Sequence, residues 1–365
     1  MMDVRHKTMA CVGALLLLAG CHKSVTTPTP DVSNRPVGQA IAIAVPLGLP
    51  ALPVPRDNPP TAAAVALGRQ LFYDKRLSVD NTLACSSCHN PQYSFTDGVS
   101  LARGVGGATG VRNSPTVLNA AYQPFQFWDG RAISLEQQAA SPIADPLEMG
   151  RAHDSSVAGI AKDAAYRAQF KQTFGSDDVT IGRVEAALAS FERTLLSGDS
   201  AFDRYQFGGD KHALNAAQVR GLAAYLDPLR GNCAACHTIG EHTALFTDGK
   251  FHNIGAGVTG DGGFSDEGRY HETKNVTDTG AFKTSTLRNI AETAPYMHDG
   301  SLKTLKAVVD FYAGGGNSNP YLDKEMKSIH LNGQERSDLV EFLKSLTGGV
   351  PPNSGPPADG PTGAQ

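Results

Sequence analysis

Stretches in which Val, Ile, Thr and aromatic residues alternate with polar ones are scarce in this 365-residue chain, which excludes a predominantly sheet protein. Charge is sparing too. Lys and Arg number 32 against 36 Asp and Glu, so the chain is neither a disordered polyelectrolyte nor a basic nucleic-acid binder, and no nucleic-acid partner is implied. No apolar run reaches the roughly twenty residues that a permanent membrane helix requires. Tryptophan occurs once, at Trp128. What is plentiful is glycine (39) and proline (22), the punctuation of helices joined by long irregular connections. The expected class is therefore mainly α, with length for two ordinary domains.

The first twenty residues read as an export signal: Arg5 and Lys7 precede an apolar run from Met9 to Gly20. That run ends Leu18-Ala19-Gly20-Cys21, which resembles a bacterial lipobox, so Cys21 is expected to become the lipid-bearing first mature residue. Simple cleavage with Cys21 left free is the alternative. The mature chain then carries a net charge of −5. Such an anchor implies the periplasm of a two-membrane host, attached to the outer membrane. Residues 21–60 include nine prolines from Pro28 to Pro60 and are expected to form a semi-rigid tether. Residues 348–365, with Pro351, Pro352, Pro356, Pro357 and Pro361, are expected to be a disordered tail.

Six cysteines remain to be explained: Cys11 in the signal, Cys21, and the pairs Cys85/Cys88 and Cys233/Cys236. An exported chain sits in an oxidising compartment, yet this assignment leaves none for a structural disulfide. Each pair is followed directly by histidine, His89 and His237, and CxxCH is the attachment signature of c-type haem. Two thiols three residues apart reach the two vinyl groups of one haem, and the adjacent imidazole falls beneath the iron. A thioredoxin-like pair would need a βαβ context, and a zinc site would need further ligands at metal spacing; neither is evident. Two covalent haem c groups are expected.

The motifs lie 148 residues apart, far enough for one to occupy each domain. Helical periodicity runs over Ala161–Phe174, from an N-cap at Thr180 through Val184, Leu188, Phe191 and Leu195, and over Ala216–Leu226. Leu302, Leu305, Val308, Val309 and Tyr312 share a face before the Gly314–Gly316 stop, and a last helix is expected over Gln334–Leu346. The division expected is an N-terminal haem domain, 61–200, and a C-terminal one, 201–347.

Between and beyond the haem motifs stand Asn113-Ser114-Pro115-Thr116, Phe127-Trp128-Asp129-Gly130-Arg131, Gln138, Pro146-Leu147-Glu148-Met149-Gly150 and Ala294-Pro295-Tyr296-Met297-His298-Asp299-Gly300. With Gly68–Tyr73 and Arg76-Leu77-Ser78, these resemble the bacterial dihaem cytochrome c peroxidase family, including its MauG branch, over residues 60–347. The resemblance implies two cytochrome c-like domains, of which the N-terminal meets peroxide and the C-terminal receives electrons. By position it implies Glu148 as the distal carboxylate, Gln138 as its amide neighbour and Trp128 as the ring between the haems. A carboxylate can take a proton from one peroxide oxygen and deliver it to the other, and an amide orients without titrating. It also implies a Ca²⁺ ion held by Asn113, Thr293 and Pro295, oxygen ligands suited to a hard cation. Taken alone, Glu148 is a solvated charge, Trp128 a core anchor and Asn113 a turn residue.

Two departures from the peroxidase pattern stand out. Many members cap the peroxidatic iron with a histidine downstream of the first CxxCH, but none occurs here between His89 and His153. The N-terminal iron is therefore expected to be open in the oxidised protein, as in the MauG branch. Where Met usually ligates the other iron, the pattern lands on Tyr312, with Met297, His298 and Met326 as alternatives; a Tyr on that apolar face also fits simple packing. His242, His252 and His271 are expected at the surface or lining a pocket. The implied activity is reduction of hydrogen peroxide by electrons from a small cytochrome c or cupredoxin. Its rivals are MauG-like oxidation of a partner protein's side chains and non-catalytic electron carriage. Family members are often homodimers.

Overall fold

Thr61 opens the first helix by accepting a hydrogen bond from Ala64 N, and the computed structural model describes the chain from residue 32 to residue 358. The expected signal peptide, the lipidation at Cys21 and the ends of the tether and tail lie outside the described residues. The helices are α1 (Ala62–Phe72), α2 (Cys85–Cys88), α3 (Leu135–Ala144), α4 (His153–Ala161), α5 (Ala164–Phe174), α6 (Ile181–Glu192), α7 (Ala201–Gln206), α8 (Ala216–Leu226), α9 (Tyr270–Thr273), α10 (Leu305–Ala313) and α11 (Gly333–Lys344). One antiparallel pair, β1 (Phe251–His252) with β2 (Phe282–Lys283), is the only sheet among the described residues. The mainly α class follows. None of these helices is long and apolar enough to cross a membrane.

Polar caps set the helix starts, at Thr180 as the sequence leads one to expect. Thr180 caps α6, Asn215 caps α8, Thr304 caps α10 and Asn332 caps α11, each accepting a backbone N–H of the first turn. Two expectations shift by local chemistry. The Ala161–Phe174 periodicity is split because Asp163 caps a new helix, and Leu302 precedes the Thr304 cap, so it lies outside α10.

Two hydrophobic clusters form. Leu67, Leu71, Phe72, Phe170, Leu188 and Phe191 centre the first, where α1 packs on α6; Phe202, Tyr225, Phe246, Leu339 and Phe342 centre the second, where α8 packs on α11. Each pairing depends on a helical glycine. A Cβ on Gly68 would strike Ala187 O, and one on Gly221 would strike Asp338 O, so close backbone approach outweighs the helix propensity that alanine would add.

The proline-rich segment departs from the tether expectation over its described part. Val37 N donates to Thr173 O, Ile41 N to Pro60 O, Ala244 N to Gly48 O, and the Asn58 amide to Glu136 and Ala186 O. It is a strap across both clusters. The tail expectation fails similarly over 354–356, where Tyr73 Oη donates to Ser354 O and Arg69 to the carbonyls of Gly355 and Pro356. The strap both donates to the body of the protein and accepts from it, whereas residues 354–356 accept, through carbonyls that their proline-rich backbone leaves available.

Candidate haem centres

Cys85 and Cys88 stand on the single turn α2, one residue past the extended Ala84, whose N–H is capped by Ser87 Oγ. His89 N closes the turn on Cys85 O at 3.0 Å, and the ring is oriented by Nδ1 against Phe95 O at 3.2 Å. The second motif repeats the device. Cys233–Ala235 is a 3₁₀ turn, His237 N bonds Cys233 O at 2.9 Å, and His237 Nδ1 meets Phe246 O at 2.8 Å. Phe95 and Phe246 are both fully buried and both at positive φ, 60° and 52°. Each imidazole is thus fixed through Nδ1 with Nε2 left for a ligand, the way a carbonyl commonly orients a metal-binding histidine. Burial lowers both histidine pKa values, keeping the rings in the neutral form that binds metal.

The thiols test the rival readings. Burial pushes Cys88 up to about 11 and Cys233 up to about 12, and raises Cys85 further. A redox-active dithiol needs the opposite shift. No group of three His, Cys, Asp or Glu residues among those described could hold a metal ion. Protonated, unpaired thiols beside a neutral imidazole fit thioether attachment of haem, and the surroundings fit too: Cys233, Cys236 and His237 open onto a cavity of about 290 Å³ walled by Leu305, Val309 and Leu339.

Glu148 sits in the loop after α3, with its N–H on Asp145 O at 3.0 Å and its carbonyl accepting from Val105 N at 2.8 Å. Its carboxylate acts electrostatically on both Cys85 and Cys88, which brings it to the first haem turn. Burial raises its pKa, Asp145 adds to the rise, and Arg131 opposes it. Gln138 is half-buried on α3, and its side-chain amide makes no hydrogen bond among the described residues. Met149 is core, 5% exposed.

Trp128 joins the two centres. Its Nε1 donates to Asn113 O at 2.9 Å, its ring meets His298 edge-on with centroids 6.5 Å apart, and it lines the second cavity. Asn113 N in turn donates to His298 O at 2.7 Å. The next residue, Ser114, reaches Asp97, whose charge acts on Cys88. The segment 113–116 therefore runs between both haem turns. Asn113, Thr293 and Pro295 line one cavity, and Asn113 Nδ2 is spent on Val99 O, leaving Oδ1 as the free oxygen.

Tyr312 projects from α10 into the second cavity, where burial and then the sulfurs of Cys233 and Cys236 raise its pKa. Its hydroxyl has no hydrogen bond among the described residues. Met297, His298 and Met326 line the same cavity. His252 lies between Asp248 and Asp323, at 3.0 and 2.6 Å, and interaction with the Cys236 sulfur, then with those carboxylates, pushes it up to about 10 against the effect of burial. His242 and His271 are exposed.

Sequence reasoning missed three features. Glu192 is 6% exposed beside Cys85, and burial pushes its pKa up to about 8. Its signal was a charge at i+4 from Leu188 on the apolar face of α6. Lys283 lines the second cavity. The third is an internal match: Asn119 and Asn289, both left-handed, stand eleven residues before Gly130 and Gly300. Gln126 pairs with Ala132 as Tyr296 pairs with Leu302, which places Trp128 and His298 at equivalent turn positions.

Two helical clusters, each presenting a CxxCH turn with an oriented neutral imidazole, define a dihaem protein of the c type. Residues 62–212 match the family described as di-haem cytochrome c peroxidase. The methylamine utilization protein MauG of Methylorubrum extorquens is 42% identical over 296 residues, 81% of this chain and 81% of its own length. The cytochrome-c peroxidase IdrP1 of Denitromonas iodatirespirans is 38% identical, over 83% of this chain and 86% of its own. A solved MauG-like protein associated with microbial copper homeostasis superposes with a TM-score of 0.77 at 34% identity, covering 85% of this chain and 96% of its own. The chain belongs to the di-haem cytochrome c peroxidase family.

Proposed function

We propose that the protein reduces hydrogen peroxide to two molecules of water, consuming two protons and two electrons drawn one at a time from a small cytochrome c or cupredoxin. The observation that carries this reading is Glu148, a partly desolvated carboxyl at the first haem turn, in a stretch from residue 90 to 152 that holds no histidine to cap the iron. Haem iron supplies the redox chemistry when bound. Glu148 takes the proton from one peroxide oxygen and returns it to the leaving one, and the burial that raises its pKa makes it the better proton acceptor. The unengaged amide of Gln138 orients the peroxide, and Trp128 lies on the electron route between the centres. Asn113 Oδ1 with the carbonyls of Thr293 and Pro295 is the oxygen set for a Ca²⁺ ion that holds this junction. The N-terminal haem domain is assigned to 61–200 and the electron-receiving one to 201–347, in keeping with the two hydrophobic clusters. The working location is the periplasm, with Cys21 anchored to the outer membrane and the enzyme functioning as a homodimer.

Stopped-flow mixing of the fully oxidised protein with peroxide tests the reading. Immediate loss of the resting Soret band, followed by fast oxidation of added reduced cytochrome c, is expected; no reaction before pre-reduction would mean that a further ligand caps the iron.

One observation favours a second reading, oxidation of side chains on a partner protein: Tyr312 stands where a phenolate ligand would lower the potential of the second iron, whereas Met would raise it. Oxidising equivalents that persist and that the cytochrome cannot discharge would support it. Tyr312→Phe is expected to change the spectrum of the C-terminal haem alone, and an unchanged spectrum removes Tyr312 from the ligand set.

A further inference from the structure

Lys283 is a cation without an anion. It ends β2, donates its backbone N–H to Trp128 O at 2.8 Å, and lines the cavity that holds Cys233, Cys236 and His237. Among the described residues its Nζ has one partner, Phe125 O at 3.0 Å, which leaves two of the three ammonium donors unused there. Burial alone moves its pKa, down to about 8, with no acidic neighbour opposing it.

The nearby carboxylates are already engaged. Asp248 and Asp323 hold His252, and Asp129 and Asp266 hold Arg112. A desolvated ammonium is unfavourable unless something negative meets it. The acceptor that suits the remaining donors is a carboxylate brought by the cavity's own occupant.

We propose that Lys283 Nζ binds a propionate of the C-terminal haem and so raises the reduction potential of that haem. Reduction adds one negative charge to the haem, and a fixed ammonium at its edge favours the reduced state. The inference rests on the haem reading of Cys233–His237. Because Trp128 O is held by the same residue's backbone, the ammonium is also set next to the junction between the two centres.

The test is a spectroelectrochemical titration of the holoprotein that resolves both haems. Lys283→Gln retains a donor for Phe125 O and removes the charge. It is expected to lower the equilibrium constant for reducing the C-terminal haem about tenfold, 59 mV for one electron, to leave the N-terminal haem unmoved, and to be reversed by Lys283→Arg. A purely structural lysine would leave the Gln variant at the wild-type potential. That result, or an equal shift at both haems, overturns the proposal. If the Gln variant loses haem, Lys283→Met carries the same two outcomes. Haem content separates this failure from that of the underlying reading: one haem per wild-type chain refutes the site itself, whereas two haems with an unmoved potential refute Lys283 alone.

Discussion

Glu148→Gln is expected to lower peroxide turnover by about 10²–10⁴-fold while both haems stay attached, the loss typical of removing a positioned proton-transfer group. Gln keeps the shape and the backbone contacts with Asp145 and Val105, so the loop that carries residue 148 is undisturbed. What disappears is a group able to accept and release a proton. The pH dependence gives an independent readout. Burial and Asp145 hold the Glu148 pKa above the ordinary glutamate value, so the basic form is lost as the pH falls through that raised pKa, and wild-type turnover should fall with it. The acidic limb should be missing in the Gln variant. Steady-state oxidation of reduced cytochrome c across pH, with haem content measured in parallel, checks both points; wild-type-like turnover would remove Glu148 from the proton path.

Arg288→Met should destabilise the fold by about 3–5 kcal/mol, the range for breaking one side of a buried ion pair. Arg288 and Asp203 have side chains 2% and 0% exposed and meet through two hydrogen bonds of 2.8 Å. The guanidinium also holds Ala244 O at 2.7 Å and Gly48 O at 2.8 Å. Methionine fills the volume but leaves the Asp203 carboxylate in the interior with only the Ser200 N–H and hydroxyl. Denaturant unfolding of the holoprotein measures the change. Because Gly48 belongs to the strap, the variant should also expose residues 40–58 to limited proteolysis; a wild-type midpoint would mean that Asp203 is satisfied without the arginine.

The haem turns were legible because covalent attachment and proximal ligation need residues that are adjacent in the chain. The start of α6 was legible for a similar reason, because Thr180 acts on an N–H three residues away, whereas the Thr304 cap went unread and left Leu302 misplaced. The strap was not. Its contacts are made largely through carbonyls, such as Gly48 O and Pro60 O, and a carbonyl belongs to every residue and leaves no mark in composition. Proline content carried no sign of the segment's attachment. Lys283 and Glu192 were hidden differently, since each looks like an ordinary surface charge until the fold brings a haem turn beside it. Tyr312 was legible as part of an apolar face, but that pattern serves packing and ligation alike.

Matched halves of a chain ordinarily drift apart independently, each answering to its own surroundings. The turns around Trp128 and His298 lack that freedom, because both lean on Asn113: Trp128 donates to its carbonyl, and its N–H reaches His298 O. A change in either turn is transmitted to the other through a single residue. The two turns are therefore expected to tolerate change together rather than separately, so that replacing Trp128 should disturb the backbone around His298 as well as its own.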